Sequence, residues 1–252
     1  MVEEPITQRI ARELRDQISS GERGPGSLLP SEPEIARQFE VSRQTARSAF
    51  QILEQEGLIE AVQRRGRIVR PRTQIIHLGN DRYSPRHRET GLSPFLLECA
   101  KQGRTGRFEV LSIERTRPSP EVAERLGVAN STESVLKREN VFYADADPVE
   151  CVTTYIPWSI AEDTGLLQEE IPHQFGIHGV LEERGHVMTR MREDTITRMP
   201  TPEEVRLLNL KTGVPVLDLW HTSLDQNGEP YELTRFVMRG DMTGLRYDVP
   251  IE

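Results

Sequence analysis

Val41-Ser42-Arg43-Gln44-Thr45-Ala46-Arg47 is the stretch whose residue types could do chemistry. Arginine pairs with the O6/N7 edge of guanine and glutamine with the N6/N7 edge of adenine. Serine and threonine hydroxyls can cap a helix or reach a phosphate. If residues 41–56 are helical, Ala46, Ala49, Phe50 and Leu53 recur at three- and four-residue steps and form one apolar face. Arg43, Gln44 and Arg47 then fall off that face, near the N-terminal end. A helix-turn-helix presents this end of its second helix to the major groove. A solvated basic helix face would carry the same arginines, so the flanking elements decide.

Those elements fit. Ile6, Ile10, Leu14 and Ile18 step by four, predicting an amphipathic first helix that Gly21 and Pro25-Gly26 terminate. Ser31 and Glu34 have capping-box spacing and start a second helix, whose core contacts are Ile35, Ala36 and Phe39. A turn at Glu40-Val41 leads into the third, which ends near Gly57. Two extended runs come next, Leu58–Val62 and Arg67–Val69, joined by Arg64-Arg65-Gly66. They predict a β-hairpin with Gly66 allowing a tight tip and Arg64, Arg65 and Arg67 placed to reach a minor groove or phosphates. Helix, helix, turn, helix and basic hairpin make a winged helix-turn-helix over residues 1–72.

The charge distribution agrees. The chain has 252 residues and a net charge of −8, which argues against non-specific coating of nucleic acid. Residues 1–72 nevertheless carry 12 Arg and no Lys against 11 acidic residues, and residues 37–72 carry 8 Arg against 4 Glu. A basic patch on an acidic molecule suits a site-specific DNA binder with a separate regulatory part. Cys99 and Cys151 stand alone, without a CxxC pair or a disulfide framework. The start Met1-Val2-Glu3-Glu4-Pro5 lacks a basic segment before an apolar run, and no apolar stretch approaches membrane-spanning length, so the expectation is a cytoplasmic protein without a membrane segment.

Residues 73–95 mix Gly, Pro, Asp, Asn, Arg and His with little periodicity and read as a linker, with one strand at Ile75–Leu78 and a cluster of Arg82, Arg86, His87 and Arg88 that reads more readily as a solvated face than as a contact to DNA or an anion. Residues 96–252 read as an internal repeat rather than as chance matches or shared turn chemistry. Ser119-Pro120-Glu121 matches Thr201-Pro202-Glu203 at an offset of 82, which also relates Leu126 to Leu208, Val135 to Leu217, Pro148 to Pro230 and Glu150 to Glu232. Each copy holds a capped helix followed by a long hairpin, turning at Asp145-Ala146-Asp147-Pro148 and at Asp225-Gln226-Asn227-Gly228. Strands are expected at 107–115, 135–143, 149–155, 190–196, 214–224 and 231–238, and a helix over 176–184. Two such units on one antiparallel sheet predict an α+β domain with pseudo-twofold symmetry and a ligand cleft. No nucleophile elbow, Walker loop, GxGxxG or HExxH occurs, and His173/His178 lacks a third metal ligand. No cofactor, no metal and no enzymatic activity are expected.

The run Pro25-Gly26, Leu29-Pro30-Ser31-Glu32, Val41-Ser42-Arg43-Gln44-Thr45-Ala46-Arg47, Glu56-Gly57-Leu58-Ile59 and Arg65-Gly66 closely resembles the GntR family of bacterial transcription regulators. Pro33 departs from it, standing where members often carry a basic DNA-contacting residue. Leu126-Gly127-Val128, Thr154-Tyr155-Ile156-Pro157, Leu181-Glu182-Glu183-Arg184-Gly185-His186, Arg198-Met199-Pro200-Thr201-Pro202-Glu203-Glu204 and Gly213-Val214-Pro215-Val216 resemble the UTRA effector domain of the HutC subfamily, a fold similar to chorismate lyase. The resemblance implies a homodimeric repressor that binds a palindromic double-stranded operator and answers a small-molecule effector, often a phosphorylated sugar or an amino-acid derivative. It implies DNA contacts from Ser42, Arg43, Gln44, Thr45, Arg47, Arg64, Arg65, Gly66 and Arg67, and effector contacts from Arg138, Asn140, His178 and Glu232. The family's usual pair of strand arginines falls here on Asn140 and Phe142, which favours a less anionic effector. Arg138 reads equally as a ligand contact or a surface salt bridge, and His178 more readily as a core or surface histidine. A ligand-dependent activator, or a small-molecule-binding protein or enzyme with a vestigial winged helix, stays open.

Overall fold

The computed structural model describes residues 4–62, 64–70, 75–77, 79–171 and 175–249. The chain divides into two units, Met1–Thr73 and Gln74–Glu252.

In the first unit, α1 (Ile6–Ser19), α2 (Glu32–Gln38) and α3 (Arg43–Gln55) precede a hairpin of β1 (Ile59–Val62) and β2 (Gly66–Val69). The Glu34 carboxylate accepts from both the N–H and the hydroxyl of Ser31, each at 2.7 Å, fixing the start of α2. Ser42 caps α3 by accepting from the Thr45 N–H at 3.1 Å. Ala46, Ala49, Phe50 and Leu53 are all buried and meet Ile10, Leu14 and Ile35, so the four- and three-residue steps of the three helices build one core. The wing has an unforeseen third edge. Leu29 N–H donates to Arg67 O at 2.8 Å and Val69 N–H to Ser27 O at 2.9 Å, pinning residues 27–29 along β2.

The second unit is built on a six-stranded antiparallel sheet with order β4-β5-β6-β9-β8-β7. Its strands are β4 (Gly106–Thr116), β5 (Val135–Ala144), β6 (Asp147–Pro157), β7 (Arg190–Arg198), β8 (Val216–Leu224) and β9 (Pro230–Arg239). The repeat explains the order. Each copy is a strand, a short helix and a hairpin, with α5 (Pro120–Leu126) in the first and α8 (Pro202–Leu207) in the second. Ser119 caps α5 and Thr201 caps α8, each with proline next. The copies join through β6 and β9, where Thr153 pairs with Arg235, its own counterpart at the 82-residue offset. A pairing of equivalent residues places the pseudo-twofold axis there.

Strand alternation divides the side chains between two faces. On one, Val122 and Leu126 of α5 pack on Val135 and Leu233, while Leu208 packs on Val216 and Val237. On the other, α4 (Pro94–Lys101), the turn α6 (Trp158–Ala161) and α7 (Gly176–Glu183) supply the cover, with Ala161, Val180 and Leu181 against Leu136 and Ile156.

The linker expected over 73–95 is corrected. From Ile75 onward the described residues belong to the second unit. β3 (Ile75–His77) pairs in parallel with β10 (Thr243–Leu245), and two 3₁₀ turns come after it at Gly79–Tyr83 and Pro85–Thr90. His77 lies 3.5 Å from Glu98 and 3.2 Å from Glu150, and Arg82 lies 3.4 Å from Glu98, all four buried. The solvated cluster therefore splits, since Arg82 and His87 are buried while Arg86 is exposed. Short 3₁₀ turns carry no apolar period, and charges that are buried in pairs look like surface in a sequence. Leu78 and His173 lie outside the described residues.

Phe50 is 1% exposed at the centre of the first unit. Phe50→Ala should cost about 3–5 kcal/mol through lost burial and a cavity, read by urea unfolding. A loss under about 1 kcal/mol would mean that α3 is not seated on this core.

Candidate functional site

Two sites can be built, one in each unit. In the first, burying Ala46, Ala49, Phe50 and Leu53 turns Arg43, Gln44 and Arg47 to solvent. Arg43 and Gln44 occupy the first two positions of α3, directly after the cap. Ser42 and Thr45 hydroxyls lie 2.8 Å apart, so each already has one partner. Arg64, with a positive φ of 64°, and Gly66, at 94°, turn the exposed tip of the wing, with Arg65 between them. Among the described residues, Arg43, Arg64 and Arg65 meet no carboxylate.

Arg47 and Arg67 differ. Both reach the carboxylate of Glu32, at 3.2 and 3.0 Å. Arg67 also bonds Glu54 at 2.7 Å and lies over the Phe50 ring. Its guanidinium is bound inside the unit, tying the wing to α2 and α3, whereas Arg47 remains half-exposed and has one acidic partner to exchange. Pro33 sits in the first turn of α2 and offers no donor.

In the second unit a cavity of about 220 Å³ opens on the sheet face covered by α4 and α7. Arg138, Asn140, His178 and Glu232 all line it. The register explains three of them, because Arg138 pairs with Thr154 and Thr154 with Thr234, while Asn140 lies two residues along β5 and Glu232 two residues along β9 on the same face. The sequence set Arg82 aside as solvated, and it missed Tyr83, in the misread linker, and the rings of Phe95, Phe108, Phe142 and Phe236. The family's strand-arginine position marked Phe142, but nothing local marks the others as neighbours.

The Arg138 surface salt bridge is also corrected. Arg138 is 1% exposed and donates to the carbonyls of Leu166, Gln168 (2.7 Å) and Glu169 (3.3 Å). Burial favours loss of its proton, and among the described residues no carboxylate opposes that shift. Glu232 accepts from the hydroxyls of Ser223 and Thr234. Behind it, His221 Nε2 lies 3.0 Å from Ser223 Oγ and His221 Nδ1 lies 2.7 Å from Glu193. That row has the partners of a serine-hydrolase triad, yet Ser223 and His221 are fully buried and the hydroxyl proton is committed to Glu232. It orients Glu232. His178 packs edge-on against Tyr83 at 5.0 Å, and burial pushes its imidazole down to about 4, so it is neutral at pH 7.

Comparison with known proteins assigns a family to each unit. Residues 6–69 match the model of the bacterial regulatory proteins of the gntR family, and residues 101–243 match the UTRA domain. The chain belongs to the GntR family, in its UTRA-bearing branch. It is 29% identical over 239 residues to the HTH-type transcriptional repressor NagR of Bacillus subtilis, covering 94% of this chain and 91% of that protein. It is 30% identical over 239 residues to the transcriptional repressor PhnF of Mycolicibacterium smegmatis, covering 94% and 89%. The crystal structure of PhnF from Mycobacterium smegmatis superposes with a TM-score of 0.61 at 25% identity, covering 96% of this chain and all of that one. The chain is therefore a ligand-controlled, DNA-binding transcription regulator with the α+β fold expected from its sequence.

The neutral His178 has a consequence for stability. The unfolded imidazole protonates near its ordinary value of 6.5, while the folded one resists to about 4. Between these values the unfolded state binds more protons, so stability is full above pH 6.5 and falls as pH drops towards 4. The thermal midpoint should decline over that window, and less steeply in His178→Gln. Equal slopes in the two proteins would place His178 in water.

Proposed function

We propose that the chain is a homodimeric repressor whose operator affinity falls when a small molecule fills the sheet-face cavity. The observation that carries the DNA half is the exposure of Arg43 and Gln44, free of acidic partners, at the N-terminal end of a helix fixed by its buried face. Their donors are available to base edges. Ser42 and Thr45 at the cap, and Arg64, Arg65 and Gly66 at the wing tip, supply backbone contacts. Arg47 joins them by exchanging Glu32 for a phosphate. Arg67 contributes by holding the wing, since its guanidinium is already committed to Glu32 and Glu54.

A twofold protein calls for a twofold site, so each winged helix of a dimer reads one half of a palindrome. The sensing half rests on the convergence of Arg138, Asn140, His178 and Glu232 in one cavity. Ligand there favours a spacing or orientation of the two DNA-binding units that mismatches the half-sites, and by linkage the operator weakens ligand binding by the same factor. A regulator rather than an enzyme is the reading that the buried, committed Ser223 supports. Among the described residues no helix is long and apolar enough to cross a membrane. We place its work in the cytoplasm, where the operator is.

Arg43→Ala should cost about 1–3 kcal/mol of operator binding and relax preference at one base pair, measured on duplexes selected from a random library. Arg64→Ala should weaken all sequences alike and flatten the salt dependence. The opposite pattern would exchange the roles of helix and wing.

A further inference from the structure

The sensing role proposed for the sheet-face cavity is the reading on which the ligand class rests, and the cavity walls define that class. The first observation is a buried cation without a counter-ion. Arg138 is bonded to backbone carbonyls alone, its Nε–H has no partner, and among the described residues no carboxylate reaches it. A guanidinium has five N–H donors, so some remain for a ligand. The second observation is independent. The first turns of α4 (Pro94, Phe95, Leu96) and α7 (Gly176, Ile177, His178) line the cavity, and neither helix has an acidic residue in its first turn or a side-chain cap. Helix N-termini carry partial positive charge and unfilled N–H groups. Both observations call for an anion.

The charge it carries is limited by the opposite wall. Glu232 is a carboxylate in the same cavity, and the other lining cation, Arg82, already lies 3.4 Å from Glu98. A single negative charge on the ligand answers Arg138. A phosphate monoester carries nearly two at pH 7, and its second would face Glu232.

The body is set by the remaining wall. The rings of Phe95, Phe142 and Phe108 succeed one another at centroid distances of 4.9 and 5.4 Å, and Phe236 and Ile177 add to the same lining. Two of the hydroxyls that a sugar would need are spent. Thr154 and Thr234 bond each other at 2.9 Å, and Thr234 also donates to Glu232. Asn140, the unpartnered Nδ1 of His178 and the hydroxyls of Tyr83 and Ser93 remain, a minority beside the rings. We propose that the cavity takes an amphipathic monocarboxylate, its head on Arg138 and the helix N-termini and its flat apolar body on the phenylalanine wall.

The test is calorimetric titration of the full chain with benzoate, phenylacetate, 3-phenylpropanoate and 4-phenylbutanoate, with the amide of each, and with glucose 6-phosphate. Operator affinity is measured beside each titration. At least one carboxylate should bind about ten times more tightly than its amide and than glucose 6-phosphate, and should weaken the operator complex. Arg138→Gln should remove the preference for carboxylate over amide. Phe108→Ala, at the exposed end of the ring row, should weaken both alike, and it serves as the variant if Arg138→Gln fails to fold. Equal binding of carboxylate and amide, tighter binding of glucose 6-phosphate, or no binding by the whole carboxylate series would each overturn the proposed class. Carboxylate binding that leaves operator affinity unchanged would keep the class and remove the sensing role.

Discussion

The pairing of β6 with β9 is the constraint on which the sensing unit depends. Thr154 faces Thr234, their hydroxyls 2.9 Å apart, and Arg138 lies in the same row one strand over. A strand has period two, so a slip of one residue would exchange the faces of everything beyond it. Glu232 and Phe236 would then turn towards α5 and α8, while Leu233 and Val237 would enter the cavity. Apolar packing holds the register from the other side, since α5 rests on Leu233 and the residues after α8 rest on Val237. Asp218 adds an ionic clamp between Arg198 (2.6 Å) and Arg235 (2.5 Å), joining three strands across β8.

With the register fixed, buried polarity is arranged in chains rather than scattered. Glu193, His221, Ser223, Glu232 and Thr234 hand hydrogen bonds to one another, ending at the cavity wall on Glu232 and Thr234. In a low-dielectric interior such a row is stiff when satisfied and costly when broken. It holds the Glu232 carboxylate still, whereas Arg138 keeps an unfilled donor. The DNA-binding unit uses the same device differently. Glu32 gathers Arg47 and Arg67, so one carboxylate both ties the wing and shields a positive face that carries no DNA.

Local signals carried far into this fold. The Ser31, Ser42, Ser119 and Thr201 caps, the four-step apolar rows of α1 and α3, and the Asn227-Gly228 turn each act over a few residues, and each was legible. The 82-residue repeat pointed to two helix-plus-hairpin units on one antiparallel sheet, and the structure supplied their order. Apart from the strand expected at Ile75–Leu78 and seen at Ile75–His77, the described residues over 75–95 were illegible for the converse reason. Their order comes from a parallel pairing with β10, far along the chain, and from the buried His77, Arg82, Glu98 and Glu150 group. Non-local pairing leaves no period. The same limit hid the cavity's aromatic wall, which α4, β4, β5 and β9 assemble from single rings. It also hid the third edge of the wing at 27–29, where Leu28-Leu29-Pro30 gives no alternation. Arg138, Asn140, His178 and Glu232 came from family resemblance, and geometry then supplied the reason that they share a cavity.

The register of β6 against β9 is tested most directly by a designed crosslink in the full chain. Directly opposite Cα atoms in an antiparallel pair lie about 4.5–5.5 Å apart, within disulfide range. Thr154→Cys with Thr234→Cys places both thiols on the cavity face, whereas Thr153→Cys with Thr234→Cys places them on opposite faces. Mild oxidation and peptide mapping should find the bridge in the first double variant and not in the second. A bridge in the second and none in the first would shift the pairing by one residue, and with it every side chain assigned to the cavity.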